Sequence, residues 1–297
     1  MHHSVLQAIA IFAVGLAAGT INTVVGSGTL ITFPTLLAFG YPPVLANVSN
    51  NVGLVPGVAS GVHGYRAELT GQRRRILRLG TASLCGGLVG AILLLVLPAG
   101  AFKAIVPVLI GIALVMVVFQ PWLSKWVSRR QAARAQARAA AGDGGEAGAM
   151  DGPGTAGGPG TAGGPGAVGV AIPVSQETAV QAGGPVLCVL VFLSGVYGGY
   201  FGAAQGVLLL GLMGVAFTDS MQRINAVKNV LAGLVNGMAA VVFVLATHVD
   251  WAVAGLIAAG AVLGGQLGAR VGRKLPPWAL RVLIICVGTL ALVKLLT

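Results

Sequence analysis

The sequence predicts an all-α polytopic membrane protein with two homologous halves of about five apolar segments each. Only 8% of the 297 residues are charged and 56% are hydrophobic, whereas a soluble domain carries about 25% charged residues. These values exclude an ordinary soluble enzyme, and a disordered chain would be far less apolar. The apolar runs are continuous and do not alternate, which disfavours a β-barrel.

Ten apolar segments follow one another along the chain. A transmembrane helix needs about 20 apolar residues, so the second segment of each half is short for an ordinary crossing. It predicts a short crossing, a broken half-helix or a re-entrant loop. The segments are roughly 5–25, 28–41, 45–64, 79–97 and 104–122 in the first half, and 186–204, 206–217, 224–246, 251–269 and 278–296 in the second.

A Gly/Ala/Pro-rich stretch at 129–185 divides the chain into a first membrane repeat, 1–128, and a second, 186–297. This stretch contains the tandem copy TAGGPG-TAGGPG and has no side chains with which to build a core, so it predicts a flexible linker. Its first part, QAARAQARAAA, is compatible with a helix that continues out of the membrane.

An internal repeat relates the two halves. A shift of 178 residues aligns 28–118 with 206–296 without a gap. Chance matches between apolar runs are common, but paired Asn, Gly-Gly and Leu-Pro motifs on a single offset are not, and such duplication is typical of transporter folds. The matched positions include Gly28 with Gly206, Asn47 with Asn225, Asn51 with Asn229, Gly86-Gly87 with Gly264-Gly265, and Leu97-Pro98 with Leu275-Pro276.

The distribution of charge predicts the topology. The chain has a net charge of +11, and its basic residues form clusters between apolar segments, as cytoplasmic loops do. The loops 65–78 and 270–274 are both basic. If the short segments cross, there are ten crossings, inverted repeats, and both loops are cytoplasmic. If they do not, there are eight crossings with parallel repeats, and 270–274 lies outside. The charge rule favours ten.

A glycine-rich turn precedes the short second segment of each half. Such turns allow either close helix packing or a helix break that frees backbone N–H groups to face an anion. Their matching places in both halves favour a binding site. No GxxxxGK[ST] motif occurs, so a nucleotide loop is not expected. The candidate substrate-binding residues here are Asn22, Ser27, Gly28, Gln205 and Gly206.

Polar side chains recur near the start of the third segment of each half. Asn47 and Asn51 are four residues apart, as are Asn225 and Asn229, so each pair shares one helix face. These amides either tie helices together or offer N–H donors to a substrate. Lys228 has a neutral counterpart in the first half, and it either snorkels to the interface or pairs with an anionic substrate. All five are candidate substrate-binding residues.

The stretches GSGTLITFPTLLAFGYPPVLANVSNN and LSGVYGGYFGAAQGVLLLGLMGV, the second followed by RINAVKN, resemble the TauE/SafE sulfite exporter family. The resemblance covers both halves, about 240 residues, and excludes the linker. It implies an exporter or permease for sulfite, sulfonates, related sulfur oxyanions or some organic anions.

We therefore expect a secondary transporter of such a small anion in the bacterial plasma (inner) membrane, with the linker in the cytoplasm and alternating access between the halves. The partners are the anion and the lipid bilayer, with a proton or sodium as candidate coupling ion. The sequence leaves the oligomeric state open. No nucleic-acid partner, cofactor, metal site or catalytic residue is expected, because no basic-aromatic stripe, HExxH or GxSxG motif occurs. The alternatives are an anion channel or a membrane assembly protein without transport activity.

The ten-crossing topology predicts that 65–78 and 270–274 face the cytoplasm together. Single cysteines at Ala67 and Gly272, in a background without the three native cysteines, should both resist an impermeant thiol reagent added to intact cells. Labelling of the Gly272 site alone would instead support eight crossings.

Overall fold

The computed structural model describes residues 5–143, 184–217, 219–271, 282, 284–289 and 292–293. These residues form α-helices joined by short turns, and the described part from 282 to 293 is also helical. A 3-10 turn covers Arg66–Leu69. The helices are α1 (Val5–Val24), α2 (Thr29–Ala38), α3 (Pro43–Gly64), α4 (Arg73–Val96), α5 (Ala99–Asp143), α6 (Pro185–Tyr200), α7 (Gln205–Ala216), α8 (Met221–Ala246) and α9 (Trp251–Val271).

Helix length and hydropathy confirm the all-α polytopic membrane class. Within the described residues, five helices are long and apolar enough to cross a bilayer: α1, α4, the 100–122 part of α5, α8 and α9. Helix α3 has 22 residues, but its asparagines lower its hydropathy. Helices α2 and α7 have 10 and 12 residues, about 15–18 Å of rise, so each covers about half of a hydrocarbon core of about 30 Å.

Helices of the first half pack against helices of the second half. Helix α1 lies along α9, α4 lies along α6, and α3 contacts both α8 and α9. The 178-residue offset places α1 on α6 and α4 on α9, so the α1–α9 and α4–α6 contacts correspond to each other. The repeat organisation itself stays a prediction from the sequence.

The repeated glycines lie where these helices approach most closely. A Cβ added at Gly264 would overlap the Leu16 carbonyl oxygen, and one at the matched Gly86 would overlap the Phe192 carbonyl oxygen. Helix backbones can come this close only where a side chain is absent. The Gly-Gly pairs found in the sequence therefore serve helix packing at corresponding interfaces.

Contacts at the helix ends place the basic loops on one side of the molecule. Tyr65, Ala226 and Ala269 form one buried cluster, and Gly64 packs directly against Ala269. The end of α3, the start of α8 and the end of α9 therefore lie together. This proximity favours the ten-crossing arrangement, because eight crossings would put the end of α9 on the opposite side, and the number of crossings itself stays a prediction. Residues 272–274 lie outside the described part, and which side is cytoplasmic stays a prediction.

Helix α5 continues beyond the membrane. It is 45 residues long, about 67 Å of rise, and includes the QAARAQARAAA stretch. This confirms the expectation that the start of the linker is helical. Residues 144–183 lie outside the described residues, so the boundaries of the linker and of the two repeats stay predictions.

The glycine contacts predict a sharp difference between two α9 substitutions. Gly264→Ala should destabilise the protein by about 1–3 kcal/mol, because the new methyl group forces α1 away from α9. Gly255→Ala should be neutral or slightly stabilising, since nothing lies within 4 Å of its added Cβ. Thermal unfolding in detergent would measure both, and equal melting temperatures would contradict the packing role of Gly264.

Candidate functional site

The turn after α1 meets the start of α7 inside the protein. The N–H of Gly206 donates to the carbonyl oxygen of Gly26 at 3.1 Å, and a Cβ on Gly206 would lie 2.5 Å from the Gly26 Cα. Gly26 and Ala204, which correspond at the 178 offset, both have positive φ, +87° and +59°. This glycine crossing brings the broken ends of both halves to one place. Gly206 was among the candidate residues predicted from the sequence, and Gly26 was not.

Side chains of α8 bind the open end of α1. The last carbonyls of a helix have no partner within it, and here three α8 residues supply donors. Asn225 Nδ2 and Asn229 Nδ2 donate to the Thr23 carbonyl at 3.2 and 3.3 Å. Lys228 Nζ donates to the carbonyls of Asn22 and Thr23 at 3.2 and 3.4 Å. The predicted Asn–Lys face of this helix therefore caps another helix.

Lys228 is buried without a carboxylate partner. Its exposed fraction is 0%, so the interpretation that it snorkels to the interface is wrong. Among the described residues no Asp or Glu lies within ion-pair distance of its ammonium group. The carbonyl end of α1 offers a partial negative charge of about half a unit. A buried charge that is only partly compensated is costly, so the site favours an added anion.

The start of α2 lies beside the same carbonyls. A Cβ on Gly28 would meet the Asn22 side chain and the Ala18 carbonyl oxygen, so α2 begins against the residue whose carbonyl Lys228 binds. The N–H groups of Gly28 and Thr29 donate to no acceptor within the described ranges. Ser27 is 1% exposed and its Oγ has no hydrogen-bond partner there. Free N–H groups, a hydroxyl and an ammonium group together suit a small oxyanion.

Two further candidates, Asn47 and Gln205, lie around the end of α6. Asn47 Nδ2 donates to the Tyr200 carbonyl at 3.1 Å, which matches the capping of α1 by α8. Gln205 packs against Gly198, and its Nε2 has no partner in the described structure. Asn51 is buried, and its Oδ1 is likewise unpaired there. The structure thus divides the ten candidates into a Lys228 group and this second, uncharged group.

Sequence reasoning missed residues that act through their backbones. Thr23 accepts three hydrogen bonds on its carbonyl oxygen, and Tyr200 accepts one. A main-chain acceptor leaves no residue-type signal. Asn50 was also missed, although its amide contacts Thr29 Oγ1 at 3.5 Å; its place beside the matched asparagines could have indicated it.

The family model described as sulfite exporter TauE/SafE matches residues 11–295. The chain belongs to the TauE/SafE sulfite exporter family. The match spans the glycine crossing and all ten candidate residues. The TauE/SafE resemblance found in the sequence is thereby confirmed, and the protein is a membrane transporter of this family.

Two named relatives agree with this assignment. The chain is 25% identical over 298 residues to the probable membrane transporter protein YfcA of Escherichia coli (strain K12), covering 96% of this chain and 88% of the relative. It is 31% identical over 105 residues to the probable membrane transporter protein ORF9 of Sinorhizobium sp, covering 35% of this chain and 40% of that relative. No solved structure matches the chain.

Proposed function

We propose that this TauE/SafE protein is a secondary transporter that carries a small anion, such as sulfite, an organosulfonate or a related sulfur oxyanion or organic acid, across the bacterial inner membrane. The observation that carries the proposal is the fully buried Lys228, which has no carboxylate partner among the described residues and lies beside the start of α2. The anion would supply a negative charge that no described carboxylate brings to this lysine.

The charge of the site favours a singly charged substrate. Lys228 is the cation that contacts the open end of α1, and no second basic side chain among the described residues hydrogen-bonds there. One ammonium group balances one negative charge, as in hydrogensulfite or a sulfonate group. A dianion would leave a second charge uncompensated in a low-dielectric site, which is costly.

The arrangement of the halves supports alternating access. The Lys228 group combines α1 and α2 of the first half with α8 of the second, so relative movement of the halves changes the site itself. Corresponding contacts, α1 with α9 and α4 with α6, support two inverted units that rock about a shared centre. The basic loops at the shared side then face the cytoplasm, and the linker with them.

A structural role is the rival function, and one observation favours it. Asn225, Lys228 and Asn229 already cap α1, which would suffice for a membrane protein that binds no substrate. The rival predicts that no anion stabilises the fold. Binding therefore separates the two functions.

We expect sulfite, presented near pH 6 as hydrogensulfite, to raise the melting temperature of the purified protein with concentration. A ligand that binds only the folded state adds about 2.7 kcal/mol of stability at 100 times its Kd. Sulfate, thiosulfate and sulfoacetate should shift it less, because they are dianions at this pH; taurine, a zwitterion, tests whether a sulfonate group is recognised. Chloride at matched ionic strength is the control. Shifts of equal size for every salt would support the structural role.

Removing the cation should abolish transport without unfolding the protein. Lys228→Met should leave the melting temperature near that of the wild type, since it replaces a costly buried charge with an apolar side chain of similar length. Loss of the Lys228 charge should weaken anion binding by about 2–5 kcal/mol, roughly 30-fold to several thousand-fold. The measurements are anion uptake by proteoliposomes and the anion concentration that gives half-saturating uptake.

Two variants control this experiment. Lys228→Arg should keep part of the activity, because the charge remains while the geometry changes. Arg270→Met removes a charge from an exposed position on α9 and should leave flux unchanged. Normal flux and an unchanged half-saturating concentration in Lys228→Met would remove Lys228 from the substrate site.

A further inference from the structure

A network of ion pairs joins the two halves at the side that holds the 65–78 loop. Arg75, in the first turn of α4, contacts Asp219 with 2.5 Å between Nη1 and Oδ2. Arg223, in the first turn of α8, contacts the other oxygen of Asp219 at 3.4 Å. Arg223 Nη2 also donates to the Thr70 carbonyl at 3.2 Å. Asp219 is therefore held between a cation of each half.

The environment of Arg75 makes this network stronger than a surface ion pair. Its side chain is only 10% exposed, and its guanidinium carbon lies 3.8 Å from the centroid of the buried Phe217 ring. Gln72 accepts from Arg75 Nη1 at 2.5 Å and donates to the Arg223 carbonyl at 3.3 Å. Partly desolvated, charge-assisted hydrogen bonds with several partners exceed the small contribution of exposed pairs.

The network lies between the Lys228 group and this side of the membrane. Arg223 and Lys228 are on the same helix, five residues and about 7.5 Å of rise apart. The contacts of Arg75 with Asp219, of Gln72 with Arg223 and of Arg223 with Thr70 each run from the first half to the second. A path from this side to Lys228 cannot open by separation of the halves unless these contacts break.

The opposite side has a corresponding contact between loops of the two halves. The N–H of Asp250 donates to Ser49 Oγ at 3.0 Å, and burial together with the nearby Asp250 carboxylate raises the pKa of Tyr41. At the 178 offset Tyr41 corresponds to Asp219, and Asp250 corresponds to Gln72. The same pairs of loops therefore meet on both sides, and on the side of the basic loops their contact includes the Arg75–Asp219 ion pair.

We propose that Arg75, Asp219 and Arg223, with the Phe217 ring beneath Arg75, form a latch that closes the transport site on the side of the basic loops. The latch rests on the alternating access proposed above. It holds the site shut on that side while the halves are together, and it breaks when they rock apart.

The test measures access to the site and needs no substrate. Ser27→Cys places a thiol of similar size at a buried position of the site, in a background with Cys85, Cys188 and Cys286 replaced by alanine. A membrane-impermeant thiol reagent is added to right-side-out and inside-out vesicles in turn. In the parent protein, labelling from the latch side should be slow.

Arg75→Gln and Asp219→Asn should each raise the labelling rate from the latch side about tenfold, the factor that corresponds to about 1.4 kcal/mol. Arg74→Gln is the matched control. It removes the same charge from an exposed side chain in the same turn of α4, and its labelling rate should equal that of the parent. The double variant Arg75→Gln/Asp219→Asn should raise the labelling rate by less than the product of the two single increases, because both substitutions remove the shared Arg75–Asp219 pair.

Two outcomes would overturn the latch: labelling rates that stay at the parent value in both variants, or an Arg74→Gln rate that rises as much as theirs. If a neutral variant fails to fold, Arg75→Lys keeps the charge but loses the planar fork, and its rate should lie between those of the parent and the neutral variants. A parent-like rate in Arg75→Lys would then count against the latch. Because the readout is thiol access, it stays interpretable even if no anion binds at Lys228.

Discussion

The contact between Gly26 and Gly206 is the constraint on which the site depends. A side chain at either position would overlap the other backbone, so the two turns can cross only as glycines. At this crossing α1 and α6 end inside the protein, where their last carbonyls need hydrogen-bond donors from other helices. Asn225, Lys228 and Asn229 at one end and Asn47 at the other supply the missing donors. These polar residues lie in otherwise apolar helices because they cap the ends of α1 and α6.

Capping satisfies the hydrogen bonds of Lys228 but not its charge. Two neutral carbonyls and a helix dipole of about half a unit leave part of a full positive charge uncompensated. This residual positive charge would favour a bound anion beside the cap of α1. The cap of α6 has no such charge, because its donor is the neutral amide of Asn47. Both the cap and the Arg75–Asp219 pair join opposite halves, so under the proposed alternating access one relative movement of the halves would alter anion binding and access together.

Most of the fold could be predicted from composition and pattern. Continuous apolar runs indicated membrane helices, since lipid tolerates few other structures, and the glycine-rich turns indicated where α1 and α6 end. Charge bias favoured the arrangement in which the 65–78 loop and the end of α9 share a side, and Tyr65 and Ala269 do pack together. The helical start of the linker was also indicated. The offset of 178 residues identified the glycines that pack at corresponding helix interfaces.

The candidate site was predictable only in part. The sequence by itself determined which side chains are polar and where they lie along each helix, because hydropathy and spacing are local properties. It could not determine what covers them. Lys228 lies one to two turns into α8, a position that also suits snorkelling, and only the end of α1 from the other half shows that it is buried. The Thr23 and Tyr200 acceptors are main-chain atoms with no residue signal, and Arg75 meets Asp219 across 144 residues of chain. Tertiary structure decided these contacts, because each depends on how closely two backbones distant in sequence can approach.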